Sequence, residues 1–246
     1  MKTVLITGCS SGFGLAIART FLDRGWQVVA TMRTPREDLL PVSDRLRVVP
    51  LDVTDPASID RAVAAAGAVD VLVNNAGFGA AAPFELTSPA LARELFETNT
   101  LGTMALTQAV LPQFRARQAG VIVNVTSSVT LKALPLLAMY TASKAAVNAF
   151  TGSMAVELAP FGIRVHLVLP GRSPETRFGD NARREGLEHD AYAGTVRQVL
   201  AGMRDTSGPV THAADVAEAV WCAATDPDSP MRLPAGEDAL AWARAS

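Results

Sequence analysis

Cysteine is nearly absent from this chain of 246 residues: Cys9 and Cys222 stand far apart. Two such thiols build neither a disulfide framework nor a cysteine metal cluster, and they fit a reducing, cytoplasmic compartment. Long apolar runs are missing as well. No stretch reaches the roughly 18 apolar residues of a transmembrane span, and the run after Met1-Lys2 is too short for a signal peptide. Positive charge is not in excess. The 22 Lys and Arg against 24 Asp and Glu leave a formal charge of −2, which provides no general attraction to nucleic acid or anionic membranes. His166, His189 and His212 lack metal-ligand spacing. No internal repeat, low-complexity tract or Pro/Gly/Ser linker divides the chain.

What is present is ample apolar material, 49% of residues, which excludes disorder and suits one large domain or two small ones. Short β-branched and apolar runs recur at residues 4–7, 28–31, 48–51, 69–73, 121–125 and 163–169, with 231–233 as a further edge strand. Helical spacing fills the intervals, as in Leu15, Ala18, Phe21 and Leu22, with start signals at Asp55-Pro56 and Ser88-Pro89. Long helices are expected over about 88–115 and 139–159, a last core helix over about 213–225, and a helical tail over 236–246. Strands without polar alternation, each followed by a helix, make a parallel sheet covered on both faces. The expected fold is therefore a single doubly wound α/β domain over 1–246, with about seven strands. One segment breaks the rhythm. Residues 172–212 are polar, arginine-rich and without strand signals, although Tyr192, Val196, Val199, Leu200 and Met203 follow helical spacing.

Thr7-Gly8-Cys9-Ser10-Ser11-Gly12-Phe13-Gly14 follows the first strand and opens a helix. Glycines there permit a tight turn, and the helix N-terminus aims N–H donors at an anion, so this is a phosphate-binding turn or an ordinary strand-to-helix turn. The spacing is TGxxxGxG. With it the chain resembles the classical branch of the short-chain dehydrogenase/reductase family, over nearly its whole length. Asp52-Val53, Asn74-Asn75-Ala76-Gly77, Asn99, Ser127, Tyr140-x-x-x-Lys144 and Pro170-Gly171 follow in the family's order. The resemblance implies a Rossmann-type oxidoreductase using a nicotinamide dinucleotide. By it, Gly8, Ser10, Ser11, Gly12, Phe13 and Gly14 bind the cofactor, Asp52 meets the adenine amino group beside Val53, and Asn75, Ala76 and Gly77 border the cofactor. Asp52 also reads as a turn residue ahead of the helix start at Asp55-Pro56.

The second strand ends Thr31-Met32-Arg33. An acid near this place takes the ribose hydroxyls of NAD, whereas an arginine pairs with the extra phosphate of NADP. Met32 stands where the acid would be and Arg33 follows, able to hold phosphate in bidentate fashion, with Ser10 as a further donor. NADP(H) is therefore the expected cofactor. The alternative is a solvated Arg33 near Glu37 and Asp38.

Tyr140 and Lys144 are four apart on an expected helix and share one face. A phenolate at neutral pH requires a pKa roughly 2 to 3 below the usual 10, with Lys144 and the positively charged oxidised nicotinamide as available sources. Ser127 ends the fifth strand, where ligands sit in open α/β sheets; the resemblance has it hydrogen-bond the substrate oxygen, while capping of the strand end is the simpler role. Asn99 matches the fourth catalytic residue, whose implied role is to hold, through its backbone carbonyl, a water linking Lys144 to solvent.

After Pro170-Gly171 the chain reads Arg172-Ser173-Pro174-Glu175-Thr176, one residue longer than the family's pattern, with Thr176 as the candidate contact to the nicotinamide carboxamide. Thr130 stands where the family often has glycine. The 172–212 segment is the expected substrate lid. There Phe178, Leu187, Tyr192, Val196 and Met203 either line an apolar pocket or pack the lid's helix on the sheet. The expected reaction interconverts a small to medium apolar carbonyl compound and its alcohol. A silent dinucleotide sensor, marked by loss of the tyrosine or lysine, and an isomerase or lyase on the same fold are the competing readings. The resemblance further implies a homodimer or homotetramer built through the long helices.

Overall fold

A computed structural model describes residues 1–205 and 207–245; Thr206 of the lid and Ser246 of the tail lie outside the described residues. Seven parallel strands form one sheet: β1 (Thr3–Ile6), β2 (Gln27–Met32), β3 (Leu46–Pro50), β4 (Val71–Asn74), β6 (Gly120–Val125), β7 (Ile163–Pro170) and β9 (Arg232–Ala235). Their order is β3-β2-β1-β4-β6-β7-β9. The chain leaves β1 toward β2 and later returns to β1's other side with β4, which makes the β1/β4 gap the switch point where ligands bind in such sheets.

Both faces are covered, as the unbroken apolar strands require. Val4, Ile6, Val28, Val71 and Val123 pack with α1 (Gly12–Asp23) and α7 (Ala213–Thr225). Leu5, Val29, Leu72 and Ile122 face α2 (Pro56–Ala66), α4 (Gly102–Arg117) and α5 (Ala138–Leu158). The start signals act as expected. Asp55 caps α2 by accepting from Ala57 N at 3.0 Å, and Ser88 caps α3 (Pro89–Phe96) by accepting from Leu91 N at 3.1 Å.

Two features depart from the sequence-based expectation. The helix expected over 88–115 is three pieces, with a π-helical turn at Glu97–Leu101 between α3 and α4. The 172–212 segment, expected to be a lid without strands, contributes β8 (Arg183–Arg184), which pairs with β5 (Ala80–Ala81) in a second, two-stranded sheet. Its residues lack β-branching, and the pairing is held by backbone bonds such as Arg183 N to Gly79 O at 2.9 Å together with the Arg183–Glu94 ion pair and the bonds of Glu185 to Ser88. The lid's helix is α6 (Ala193–Arg204), and α8 (Glu237–Ala245) closes the chain. Among the described residues no helix is long and apolar enough to cross a membrane, and no group of His, Cys, Asp and Glu could hold a metal ion.

Candidate active site

The glycine turn lies at the C-terminal end of β1. Gly8 (φ +73°) and Gly12 (φ +55°) take left-handed conformations that side chains resist, and a Cβ on Gly14 would overlap the Gly8 carbonyl. Ser11 is the N-cap of α1, yet its side chain makes no capping bond. The first-turn amides thus stay open to an anion. Ser10 is exposed at the tip, while Phe13 is half-buried against the core below. The turn therefore fits a dinucleotide's phosphates. Cys9, buried beneath it, has a thiol pushed up to about 12 by burial, which makes it inert.

Thr7 couples this turn to the end of β4. Its hydroxyl accepts from Asn75 N and Ala76 N, both at 2.9 Å, and Asn75 Nδ2 donates to Thr7 O at 2.9 Å. Asn74 points the other way, donating to Asn124 Oδ1 at 2.8 Å and Thr107 Oγ1 at 3.0 Å, while Asn124 reaches Thr151 at 2.8 Å. This buried polar ladder locks β4 and β6 between α4 and α5. Asn74 thus stabilises the sheet.

Arg33 is exposed at the end of β2. Asp38, near it in sequence, pairs with Arg36 at 2.6 Å. Asp52 lies within the electrostatic reach of Arg33 and accepts from Thr54 N at 2.9 Å and Thr54 Oγ1 at 2.8 Å, contacts that hold its carboxyl below the usual range. Its turn role is thus realised. Val53 is buried beside Gly102, at the start of α4.

The tetrad residues are all buried: Asn99, Ser127, Tyr140 and Lys144 expose 8% or less. Ser127 follows β6 by two residues and accepts weakly from Val129 N at 3.3 Å, which realises its capping role, while its hydroxyl interacts with that of Tyr140. Lys144 Nζ donates to Val125 O at 3.1 Å. Burial pushes the Tyr140 phenol up to about 12, against the Ser127 bond, and pushes the Lys144 ammonium down to about 8. The expected lowering of Tyr140 is therefore not produced by the protein alone. The phenol sits in a dry site, and the lysine faces a carbonyl.

Asn99 acts through its side chain. It accepts from Phe78 N and donates to Phe78 O, both at 3.0 Å, and donates to Ser143 Oγ at 3.1 Å. Its backbone carbonyl, expected to hold a water, accepts from Thr103 Oγ1 at 3.0 Å. The π turn thereby fastens the loop after β4 to α5 between Tyr140 and Lys144.

Pro170 ends β7, and Gly171 follows at the root of the lid. Thr176 packs over the glycine turn, its Cβ 3.5 Å from where a Cβ on Gly12 would stand, and its hydroxyl donates to Ser173 O at 3.0 Å. Phe178 lies over Tyr140, with ring centroids 5.9 Å apart. Nearby, Ala80, Ala82, Thr87, Leu91, Leu136, Met139 and Tyr140 line a small, partly open apolar cavity. The sequence reading missed every one of these except Tyr140. Leu136 at φ +65° is a strained non-glycine position, visible only in the backbone. Of the nominated lid residues, Val196 is buried, Leu187 and Tyr192 are half-buried and Met203 is exposed; none lines the cavity.

Residues 2–185 match the family model described as short chain dehydrogenase. The chain is 40% identical over 181 residues to the uncharacterized oxidoreductase YusZ of Bacillus subtilis, covering 69% of this chain and 64% of that protein. It is 36% identical over 184 residues to a 3-ketodihydrosphingosine reductase of Bacteroides thetaiotaomicron, covering 73% and 66%. The chain thus spans just under two thirds of the length of these two relatives. Among solved structures, a short-chain dehydrogenase from Streptomyces avermitilis superposes with TM-score 0.86 at 35% identity, over 99% of this chain and 91% of that one. A Burkholderia cenocepacia short chain dehydrogenase in complex with NADP gives 0.80 at 28%, over 100% and 94%. A Brucella melitensis 3-ketoacyl-(acyl-carrier-protein) reductase complexed with NADH gives 0.78 at 30%, over 95% and 96%. With its seven-stranded parallel sheet, glycine turn and buried serine, tyrosine and lysine, the chain belongs to the classical branch of the short-chain dehydrogenase/reductase family.

Proposed function

We propose that this protein is an NADP(H)-dependent oxidoreductase that interconverts a small to medium apolar carbonyl compound and its alcohol. The observation that carries the reading is the placement of Tyr140 and Ser127. Tyr140 lines an apolar cavity, and the Ser127 hydroxyl, just past the end of β6, interacts with its phenol. The dinucleotide, when bound, supplies or takes up a hydride. The chain's own residues move the proton. Tyr140 is a protonated phenol with a pKa of about 12, held by burial as a general acid for carbonyl reduction. Ser127 orients that phenol and donates to the same substrate oxygen, stabilising the charge that develops on it. Lys144 adds positive charge from the next turn of α5 and holds the nicotinamide ribose; Asn99 keeps the loop before it in register.

The cofactor reading rests on the turn and on Arg33. Gly8, Ser11, Gly12, Phe13 and Gly14 shape the phosphate cradle. Arg33, unpaired among the described residues, and Ser10 take the adenosine phosphate, with Asp52 and Val53 at the adenine. Asn75, Ala76, Gly77, Pro170, Gly171 and Thr176 border the nicotinamide half. The substrate reading rests on the lining, whose polar side chains are Thr87, turned to Pro83 O at 3.0 Å, and Tyr140. Assembly as a homodimer or homotetramer and a cytoplasmic location complete the proposal. A surface groove between α4 and α5, flanked on α5 by the 77% exposed Val156, supports the assembly.

The test is a screen of NADPH consumption and NADP reduction over aldehydes, ketones, sterols, sugars and acyl thioesters. Turnover of an apolar carbonyl that falls by about 100-fold or more in Tyr140→Phe, with dinucleotide binding retained, is expected. Undiminished turnover in that variant overturns the assignment, and binding without turnover across the panel favours the sensor.

A further inference from the structure

The lid closes on itself at its root. Thr211 N donates to Arg172 O at 2.8 Å, so an excursion of about forty residues begins and ends at one point. A carboxylate from the far end of the chain holds that point. Asp238, in the first turn of α8 and buried, accepts from Arg172 N at 2.6 Å with Oδ2 and from Thr211 Oγ1 at 2.7 Å with Oδ1. Thr211 Oγ1 in turn accepts from Gly171 N at 2.9 Å. The fit is close on every side: a Cβ on Gly171 would overlap the Asp238 carboxylate, and one on Gly236 would overlap Thr211. The start of a helix is also a favourable place for a negative charge.

Downstream of this clasp, residues 171–176 run from the end of β7 to the glycine turn. A second carboxylate ties their other end. Glu175 accepts from Ala213 N at 2.6 Å and contacts His212 Nδ1 at 3.0 Å, and Thr176 then rests beside Gly12. The six residues form a strap stretched between two anchors, across the mouth of the cradle.

We propose that Asp238 is a positioning residue for the dinucleotide: by fixing the Gly171-Arg172 root through Thr211, it sets the strap over the cofactor, making α8 a working part of the cofactor site. The inference rests on the dinucleotide-binding reading given above. Asp238 touches no reacting atom. It acts through the backbone of Gly171 and Arg172, and the effect falls on cofactor affinity.

The experiment compares Asp238→Asn, Thr211→Val and Thr211→Ser with the unaltered chain. NADPH dissociation constants are measured by fluorescence titration, amide exchange over 171–176 by mass spectrometry, and folding by thermal unfolding. Losing a hydrogen bond to a buried charge predicts an NADPH dissociation constant raised about tenfold or more in Asp238→Asn and Thr211→Val. Strap amides exchange faster while those of β6 and β7 do not. Thr211→Ser keeps the hydroxyl and stays within about threefold of the unaltered chain. Should Asp238→Asn fail to fold, the Val and Ser variants at 211 decide. Unchanged affinity and strap exchange, with only a lower unfolding midpoint, overturn the proposal by making the clasp a plain staple. An unaltered chain that binds neither NADPH nor NADH overturns the dinucleotide reading, and this inference with it; binding unaffected by the variants overturns the inference alone.

Discussion

The Lys144 ammonium donates to the carbonyl oxygen of Val125 at 3.1 Å, tying α5 to the end of β6 two residues before Ser127. The strand that leads to the serine and the helix that carries the tyrosine are thereby tied together, and the charge that would stabilise a tyrosinate is parked on a peptide dipole.

Burial lowers Lys144 to about 8, so its charge is lost at a pH where Tyr140, at about 12, still holds its proton. The kcat/KM for the cofactor, which reports the free enzyme, is expected to fall above pH 8. Lys144→Arg, with a guanidinium that stays charged, should show no such alkaline fall, at reduced overall rate. A limb near pH 8 persisting in that variant would assign it to another group. The folding linkage has the opposite sign. Because the folded chain releases this proton earlier than the unfolded one, the group adds stability as pH rises from 8 toward 10.5.

Arg33 is exposed and, among the described residues, has no ion-pair partner. Replacing it by alanine removes charge-assisted hydrogen bonds to the adenosine phosphate, so kcat/KM with NADPH should drop about ten- to 100-fold while that with NADH moves by less than about twofold. Equal losses with both cofactors would show that Arg33 does not read the phosphate.

Phe178 stands over Tyr140, and a Cβ on Gly79 would come within 2.8 Å of its ring. Phe178→Ala removes the ring that stands over Tyr140. The ratio of kcat/KM for a bulky ketone to that for a compact one should rise by about tenfold. Gly79→Ala, which displaces the same ring, should move the ratio in the same direction; a ratio unmoved in both places the substrate elsewhere.

His166 is buried in β7 between Pro230 O and the Arg164 guanidinium, both at 3.0 Å from its ring nitrogens. Burial first, and the Arg164 charge in addition, hold it below the ordinary 6.5, with the Pro230 carbonyl acting against them. A depressed folded pKa means stability present above 6.5 and lost as pH falls through the folded value. Urea unfolding at pH 7.5 and pH 5 should show a larger acid loss in the unaltered protein than in His166→Gln. Identical losses would assign the acid sensitivity to carboxylates.

The sheet was legible because each strand is an unbroken apolar run and each helix opens on a recognisable cap: Asp55-Pro56 and Ser88-Pro89 sit at the helix starts they signalled. Tyr140 and Lys144 were legible as a pair because their spacing is local to one helix, whereas Ser127 and Asn99 were nominated by the family resemblance. Neither route could reach the cavity. Ala80, Ala82 and Leu136 are unremarkable in sequence, and they meet only because Ala82 N donates to Leu136 O at 2.8 Å across the site. The π turn was hidden for a similar reason, since Asn99 departs from helical pairing to serve Phe78 and Ser143, both distant in sequence.

The sequence by itself determined the doubly wound fold and the glycine turn, because periodicity, capping and short-range spacing are properties of neighbours along the chain; Ser127, Tyr140, Lys144 and Asn99 were nominated by motifs in the order of a known family. Tertiary structure alone decided three things: how dry the site is, and hence which way Tyr140 and Lys144 titrate; which residues wall the cavity; and that Asp238, from the C-terminal helix, closes the root of the lid. Burial and long-range hydrogen bonds depend on what the fold brings together, and no local pattern encodes them.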